Sequence, residues 1–360
     1  SQDGLDELRR LSRRRGPRIA AVVLVTPMVL AAAWWGFSRY SDAAFVLGEV
    51  RVSEDGTFVL ATNARAFTLR RSWSRSFPSK VHTTRAFASK GDGVIDRIGV
   101  GTIGTTTAEN GAFYLVDARG QTLWSYQIPP GECVYSFELA SFDHFYGHLI
   151  EIVDLDGDAI PEILVAFVHR NYYPSKLVAF DQQGELLGEY WHPGNLRTVA
   201  AGPVGPETEI LVVVSASNNA IRPPTVSWNP QVLFAFRANE IYGLGPPHDH
   251  HGAADHPTYP RGAELWYKVL LPVDDRVDEH RMRGAIYDIS IGDFLNGDGV
   301  FEIQARAQES RFYYLNKRGE TLATTRGNLY LEMFPGIPVP PLMDVDEYVD
   351  TYVRVPEDSP

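Results

Sequence analysis

The 360-residue chain has a single cysteine, Cys133, so it can form no intrachain disulfide. This excludes the disulfide-dense scaffolds of small secreted domains. Stability has to come from a packed core, with bound metal as a supplement. After residue 37 no uncharged apolar run is long enough to cross a bilayer as a helix. No sustained helical periodicity occurs there either. Catalytic signatures are missing: there is no G-x-S-x-G, no Walker loop, no H-E-x-x-H and no C-x-x-C-H haem site. Positive charge is scarce, with 33 Lys and Arg against 45 Asp and Glu, a net charge of −12. Seven arginines against Asp3, Asp6 and Glu7 give residues 1–40 a charge of +4 and leave −16 for the remainder. So acidic a surface argues against nucleic acid as a general partner and favours cations.

What is present begins with one apolar run, Ile19 to Phe37, 19 residues without a charge. At 1.5 Å per residue it matches the hydrocarbon thickness of a bilayer. Arg9, Arg10, Arg13, Arg14, Arg15 and Arg18 precede it and Arg39 follows. The positive-inside rule predicts a cytoplasmic arm over 1–18, a membrane helix over 19–37 and an extracytoplasmic remainder. Arg14, Arg15 and Arg18 would mark the inner interface, and Trp34 and Trp35 the outer one. Pro27, mid-span, is tolerated as a kink. The rival is a signal peptide with Ala31–Ala33 as its cleavage region and Arg9-Arg10 as a weak twin-arginine mark. The retained anchor is the reading adopted, with Ser1 as the residue left by removal of an initiator Met. With one cysteine, a bacterial periplasmic domain on the inner membrane fits better than a eukaryotic ectodomain.

A hairpin pattern then recurs. FYLVDARGQTLWSY turns at Asp117, LVAFDQQGELLGEY at Asp181 and FYYLNKRGETLATT at Asn316. A weaker copy, EVRVSEDGTFVLAT, turns at Ser53, and a degenerate one near Arg237. The steps are 64, 64, 56 and 79 residues. β-branched and aromatic runs flank each Gly-containing turn, which is strand chemistry. Repetition at this period predicts an all-β fold of radial blades or stacked sheets over about 45–330.

Acidic loops precede the hairpins. Asp154, Asp156, Asp158 and Glu162 hold positions 1, 3, 5 and 9 of one. Alternate carboxylates with a Gly between them can fold round a hard cation such as Ca²⁺. The same residues also read as a turn whose aspartates cap backbone amides. In the second loop Asn296, Asp298 and Glu302 keep positions 3, 5 and 9, but an extra residue puts Phe294 at position 1, so Asp293 has to reach round a bulge. Gly91–Ile98 and Gly205–Val212 are worn copies expected to bind nothing.

These loops resemble the FG-GAP/VCBS repeats of integrin-like β-propellers, whose blades carry D-x-D-G-D-x-x-x-[DE] before a buried strand. The hairpins, LVDARGQTLW most of all, look like quinoprotein-type propeller repeats. The resemblance implies a membrane-anchored bacterial propeller. It also implies calcium ligands at Asp154, Asp156, Asp158 and Glu162, with a second set at Asp293, Asn296, Asp298 and Glu302. A calcium ion there would be structural.

Three further segments stand out. His248, His250, His251 and His256 fall within nine residues of a Gly- and Pro-flanked insertion, a pattern that suits Zn²⁺ or Cu²⁺ or an exposed polar loop. Residues 57–90 hold seven basic side chains and no acid: Arg65, Arg70, Arg71, Arg75, Lys80, Arg85 and Lys90. They suit lipid headgroups, an acidic partner or a solvated face. The Pro-rich acidic tail, 331–360, is expected to lie extended along the propeller or a neighbour.

The function expected from these features is a non-catalytic accessory subunit of a larger bacterial membrane complex, respiratory or photosynthetic. Its partners would be membrane lipid and other membrane-protein subunits. The alternative is an anchored ligand-binding or adhesion module. A hydrolase or quinoprotein-like oxidoreductase ranks third.

Overall fold

The computed structural model describes residues 46–64, 72–104, 109–133, 144–170, 174–207, 209–221, 229–245, 260–271, 285–308 and 310–353. The segment Ile19 to Phe37, with Arg14, Arg15, Arg18, Trp34 and Trp35, lies outside these residues. No described helix is long and apolar enough to cross a membrane.

The strands form successive antiparallel meanders. Blade 1 contains β1 (Leu47–Val52), β2 (Phe58–Asn63) and β3 (Ser72–Ser76). Blade 2 contains β4 (Lys80–Phe87), β5 (Arg97–Ile103), β6 (Phe113–Asp117) and β7 (Thr122–Tyr126). Blade 3 contains β8 (Phe145–Val153), β9 (Glu162–His169), β10 (Ser175–Phe180) and β11 (Leu186–His192), and is joined to blade 2 by one pairing of β8 with β5, Tyr146 with Ile103. Blade 4 contains β12 (Leu196–Val204), β13 (Glu209–Ser217), β14 (Gln231–Arg237) and β16 (Trp266–Leu270). The short β15 (Tyr242–Leu244) leaves blade 4 to pair in parallel with β11. Blade 5 contains β17 (Ile286–Gly292), β18 (Glu302–Ala307), β19 (Arg311–Leu315) and β20 (Thr321–Arg326). The innermost strands β4, β8, β12 and β17 pack in that sequence. The described chain is thus an all-β, propeller-like array.

Strand alternation builds the core. Successive side chains point to opposite faces, so a strand covered on both sides must be apolar throughout. β9 is buried at every position. Its Ile163, Val165 and Phe167 meet Phe113 and Leu115 of blade 2. Its Leu164, Ala166 and Val168 meet Val212, Val214 and Phe234 of blade 4. β13 does the same, sending Leu211 and Val213 towards Ile303 and Ala305 of blade 5. Val59, Ala61 and Trp73 join Ile98, Val100 and Val116 between blades 1 and 2. Four apolar clusters therefore fill the four seams between five blades.

A recurring contact locks the seams. Trp73 donates its indole N–H to Ala118 O at 2.8 Å, Trp124 to Gln182 O at 2.9 Å and Trp266 to Lys317 O at 3.0 Å. Each acceptor follows the first residue of a repeated turn, Asp117, Asp181 or Asn316. The glycine three residues into that turn (Gly120, Gly184 or Gly319) has positive φ and lies flat against the same indole. The repeated sequence thus encodes both a hairpin turn and the socket for the preceding blade.

The Ser53 turn is different. It joins β1 to β2, and Val81, at the start of β4, donates its amide to Gly56 O. The other repeated turns lie beyond the opposite end of β4, where Phe87 pairs with Arg97 and Arg97 with Asp117. Ser53 is a same-sequence turn at the other end of the sheets, because Asp and Gly serve any tight turn.

The tail is integral to blade 4. Helix α1 (Asn328–Met333) leads to β21 (Leu342–Asp344), which pairs with β16. A helical turn over Val345–Tyr348 runs into a π turn over Val349–Val353. Val345, Tyr348 and Val349 enter the core between blades 3 and 4.

Candidate functional site

The best-built acidic loop joins β8 to β9. Asp154 accepts from the amides of Gly157 at 2.7 Å and Ala159 at 2.9 Å. Asp156 accepts from Asp158, and Asp158 from Ile160. Glu162, 6% exposed, accepts the Leu155 amide at 2.6 Å. Oxygens of Asp154, Asp156 and Glu162 all lie within 4.8 Å of one another, whereas Asp158 stands outside this group. Burial pushes the Glu162 carboxyl above its ordinary value. The Leu155 amide opposes the shift, and the three aspartates reinforce it. The site therefore carries more negative charge than it neutralises, a donor set suited to a hard divalent cation.

The loop between β17 and β18 repeats the frame. Asp293 accepts from Gly297 at 2.8 Å and Gly299 at 2.7 Å, and Glu302 from Phe294 at 2.9 Å. Asp293 thus occupies the first position and the extra residue is absorbed after it; Phe294 takes the place of Leu155. Asp298 caps Val300. Among the described residues Asp293, Asn296, Asp298 and Glu302 do not assemble a three-carboxylate group like that at Asp154. In blade 2, Asp96 accepts the Ser89 amide in the manner of Glu162. Positive φ recurs two residues apart in all three loops, at Gly91 and Gly93, Gly157 and Ala159, and Gly297 and Gly299. The worn copy has kept the backbone, Asp92 and Asp96, but carries Ala88 and Lys90 where Asp154 and Asp156 stand.

A second feature is the far face of blade 5. On β18, Ile303, Ala305 and Ala307 enter the seam with blade 4, while Gln304 and Arg306 point the other way. The Arg306 guanidinium lies over the rings of Tyr287 at 5.2 Å and Phe312 at 5.5 Å. Gln304 donates to Tyr314 Oη, and Phe294 packs near Tyr314. Tyr287 is 44% exposed and Phe294 38%. β20 is exposed at nearly every position and carries Ala323 where β7 has Trp124, four residues after the turn glycine. No apolar cluster among the described residues joins this face to another blade.

The other sequence candidates disperse. The His248–His256 insertion and Arg65, Arg70 and Arg71 lie outside the described residues. Arg75 donates to Gly120 O, Lys80 lies against Gly56 and Arg85 pairs with Glu151 at 3.5 Å. Arg75, Lys80 and Arg85 therefore serve separate contacts, and Lys90 is exposed. Cys133 is half-buried beside the core between blades 2 and 3. The sequence reading missed the blade 5 face. Its signal was the alternation EIQARA in β18 against the unbroken apolar runs of β9 and β13.

No protein-family model matches the chain, and no curated protein matches it by sequence. Among solved structures, the Dos1 propeller aligns at TM-score 0.45 and 9% identity, over 78% of this chain and 59% of that one. Rhamnogalacturonan lyase YesW aligns at TM-score 0.37 and 11% identity, over 76% of this chain and 60% of that one. BamB from Moraxella catarrhalis aligns at TM-score 0.30 and 14% identity, over 77% of this chain and 70% of that one. This chain spans less than two thirds of the first two. These likenesses are distant, and the propeller-like architecture rests on the blades and seams above.

Proposed function

We propose that this protein is a non-catalytic interaction scaffold: an FG-GAP/VCBS-type propeller, anchored by Ile19–Phe37 and presenting blade 5 to another subunit of a bacterial membrane complex. The observation that carries this reading is the face of Tyr287, Phe294, Arg306, Phe312 and Tyr314, which no other blade covers among the described residues. Aromatic residues and Arg are the side chains enriched at protein interfaces. Every other seam between blades is filled by aliphatic and aromatic side chains from both sides. Gentle detergent extraction from native membranes, followed by mass spectrometry, is expected to recover partners at fixed stoichiometry. The double variant Tyr287→Ser, Arg306→Glu should lose them while remaining folded. Migration of the wild-type chain alone, or partners unaffected by the variant, would overturn the proposal.

Calcium fits the reading as a stabiliser held by Asp154, Asp156 and Glu162, with waters and carbonyls completing the shell. Adding Ca²⁺ is expected to raise the thermal midpoint saturably, and Asp154→Asn to remove most of that gain. The pH dependence has a definite sign. Without the ion, a carboxyl raised in the folded state costs stability as pH rises, because the unfolded chain releases its proton first. Binding requires the carboxylate, so the calcium-dependent gain should grow as pH rises through and above the ordinary carboxylate range. Equal midpoints with and without calcium across that range would remove the ion from the account.

A further inference from the structure

The innermost strands of blades 2 and 3 bring two histidines together across 66 residues of sequence. His82 Nε2 on β4 and His148 Nδ1 on β8 are 3.1 Å apart, in a hydrogen bond between the two rings. Their rings stack at 5.4 Å between centroids. Tyr146 braces both rings edge-on, at 4.8 Å from His82 and 5.6 Å from His148. The pair is open to solvent from the His82 side, since His82 is exposed and His148 half-buried. Burial, with His82 and Arg197 of β12 nearby, drops His148 to about 4, and burial lowers His82.

We infer that His82 and His148 form a site for a borderline divalent cation of the zinc, nickel and copper class, with solvent oxygens filling the remaining positions. Two nitrogens each about 2.0–2.1 Å from one ion stand about 2.9 Å apart at a right angle and about 3.3 Å apart at a tetrahedral one. The observed 3.1 Å falls between these limits, and an ion bound there would replace the hydrogen bond between the rings, the donor ring moving its proton to its other nitrogen. The rings come from two strands, each at a register shift that sets the side chain's direction, so the spacing is set by blade packing rather than by a loop. Nitrogen donors select this class of ion over calcium, which takes oxygen. The site is independent of the acidic loop and of the partner surface.

The test uses the full chain with excess Ca²⁺ to occupy the acidic loop. Its background carries His248→Gln, His250→Gln, His251→Gln and His256→Gln, so that the insertion contributes nothing. Zn²⁺ alone is titrated by calorimetry, and Cu²⁺ alone is examined by electron paramagnetic resonance. About one equivalent should bind, and the copper spectrum should show two imidazole nitrogens. His82→Gln and His148→Gln should each weaken Zn²⁺ binding at least about tenfold and leave one nitrogen on copper. The nitrogen count in the parent protein reads the site even if a variant fails to fold. A parent spectrum without two imidazole nitrogens, or unchanged Zn²⁺ affinity in folded variants, would overturn the inference.

Discussion

Replacing Lys176 with alanine is expected to destabilise the domain by about 3–5 kcal/mol, among the largest single effects in the molecule. The side chain is completely buried on β10. Its Nζ pairs with Glu132 at 2.5 Å and Glu189 at 2.6 Å, donates to Tyr126 Oη at 3.1 Å and lies over the Trp191 ring at 5.3 Å. Glu132 and Tyr126 belong to blade 2, Lys176 and Glu189 to blade 3, so the cluster spans a seam. Burial opposes the ammonium charge, but the tyrosine and the two carboxylates outweigh it and raise the lysine above its ordinary value. Removing the cation leaves two half-buried carboxylates facing each other without compensation. Removing all the charge is a different matter. The triple variant Lys176→Met, Glu132→Gln, Glu189→Gln should recover most of the loss, since a buried ion pair costs more to break than to delete. Chemical denaturation of the three proteins decides it; a single variant within about 1 kcal/mol of wild type would show that the cluster holds nothing together.

The second large effect is expected at Gly184. This residue has φ +90°, and a β-carbon built there would fall 2.8 Å from Trp124 Cδ2. Gly184→Ala therefore carries two penalties. The left-handed backbone costs about 1–2 kcal/mol for any residue with a β-carbon. Overpacking against the indole adds about 1–3 kcal/mol. Gly131 separates the two, because it has φ +76° and nothing within 4 Å of the added carbon. Gly131→Ala should show the backbone cost alone. Adding Trp124→Phe to Gly184→Ala should give back part of the clash, which a double-mutant cycle would register as coupling. Equal losses at Gly131 and Gly184 would mean that the tryptophan socket is loose and that the seams rely on aliphatic packing.

Legibility in the sequence followed the range of the interactions. Turns are short-range objects. Asp117, Asp181 and Asn316 each accept amides two and four residues ahead. Their spacing alone therefore revealed strands and repeats. The acidic loops are equally local, so Asp154, Asp156 and Glu162 could be picked from their intervals. The exclusion of Asp158 from the carboxylate group could not, because it depends on how the loop closes over Glu162. Ser53 shows the limit of turn chemistry: the residues specify a tight turn but not the end of the sheet at which it lies.

The sequence by itself determined the all-β repeat, the positions of the acidic loops and the tail's lack of a core of its own. Each follows from contacts within a few residues or from the apolar period along one strand. Only the tertiary structure decided which blade meets which, that no other blade covers the aromatic face of blade 5 among the described residues, that Lys176 sits at a seam and that His82 finds His148. Those outcomes depend on strands separated by tens of residues being placed side by side. Periodicity records that a face is apolar; it does not record what covers it.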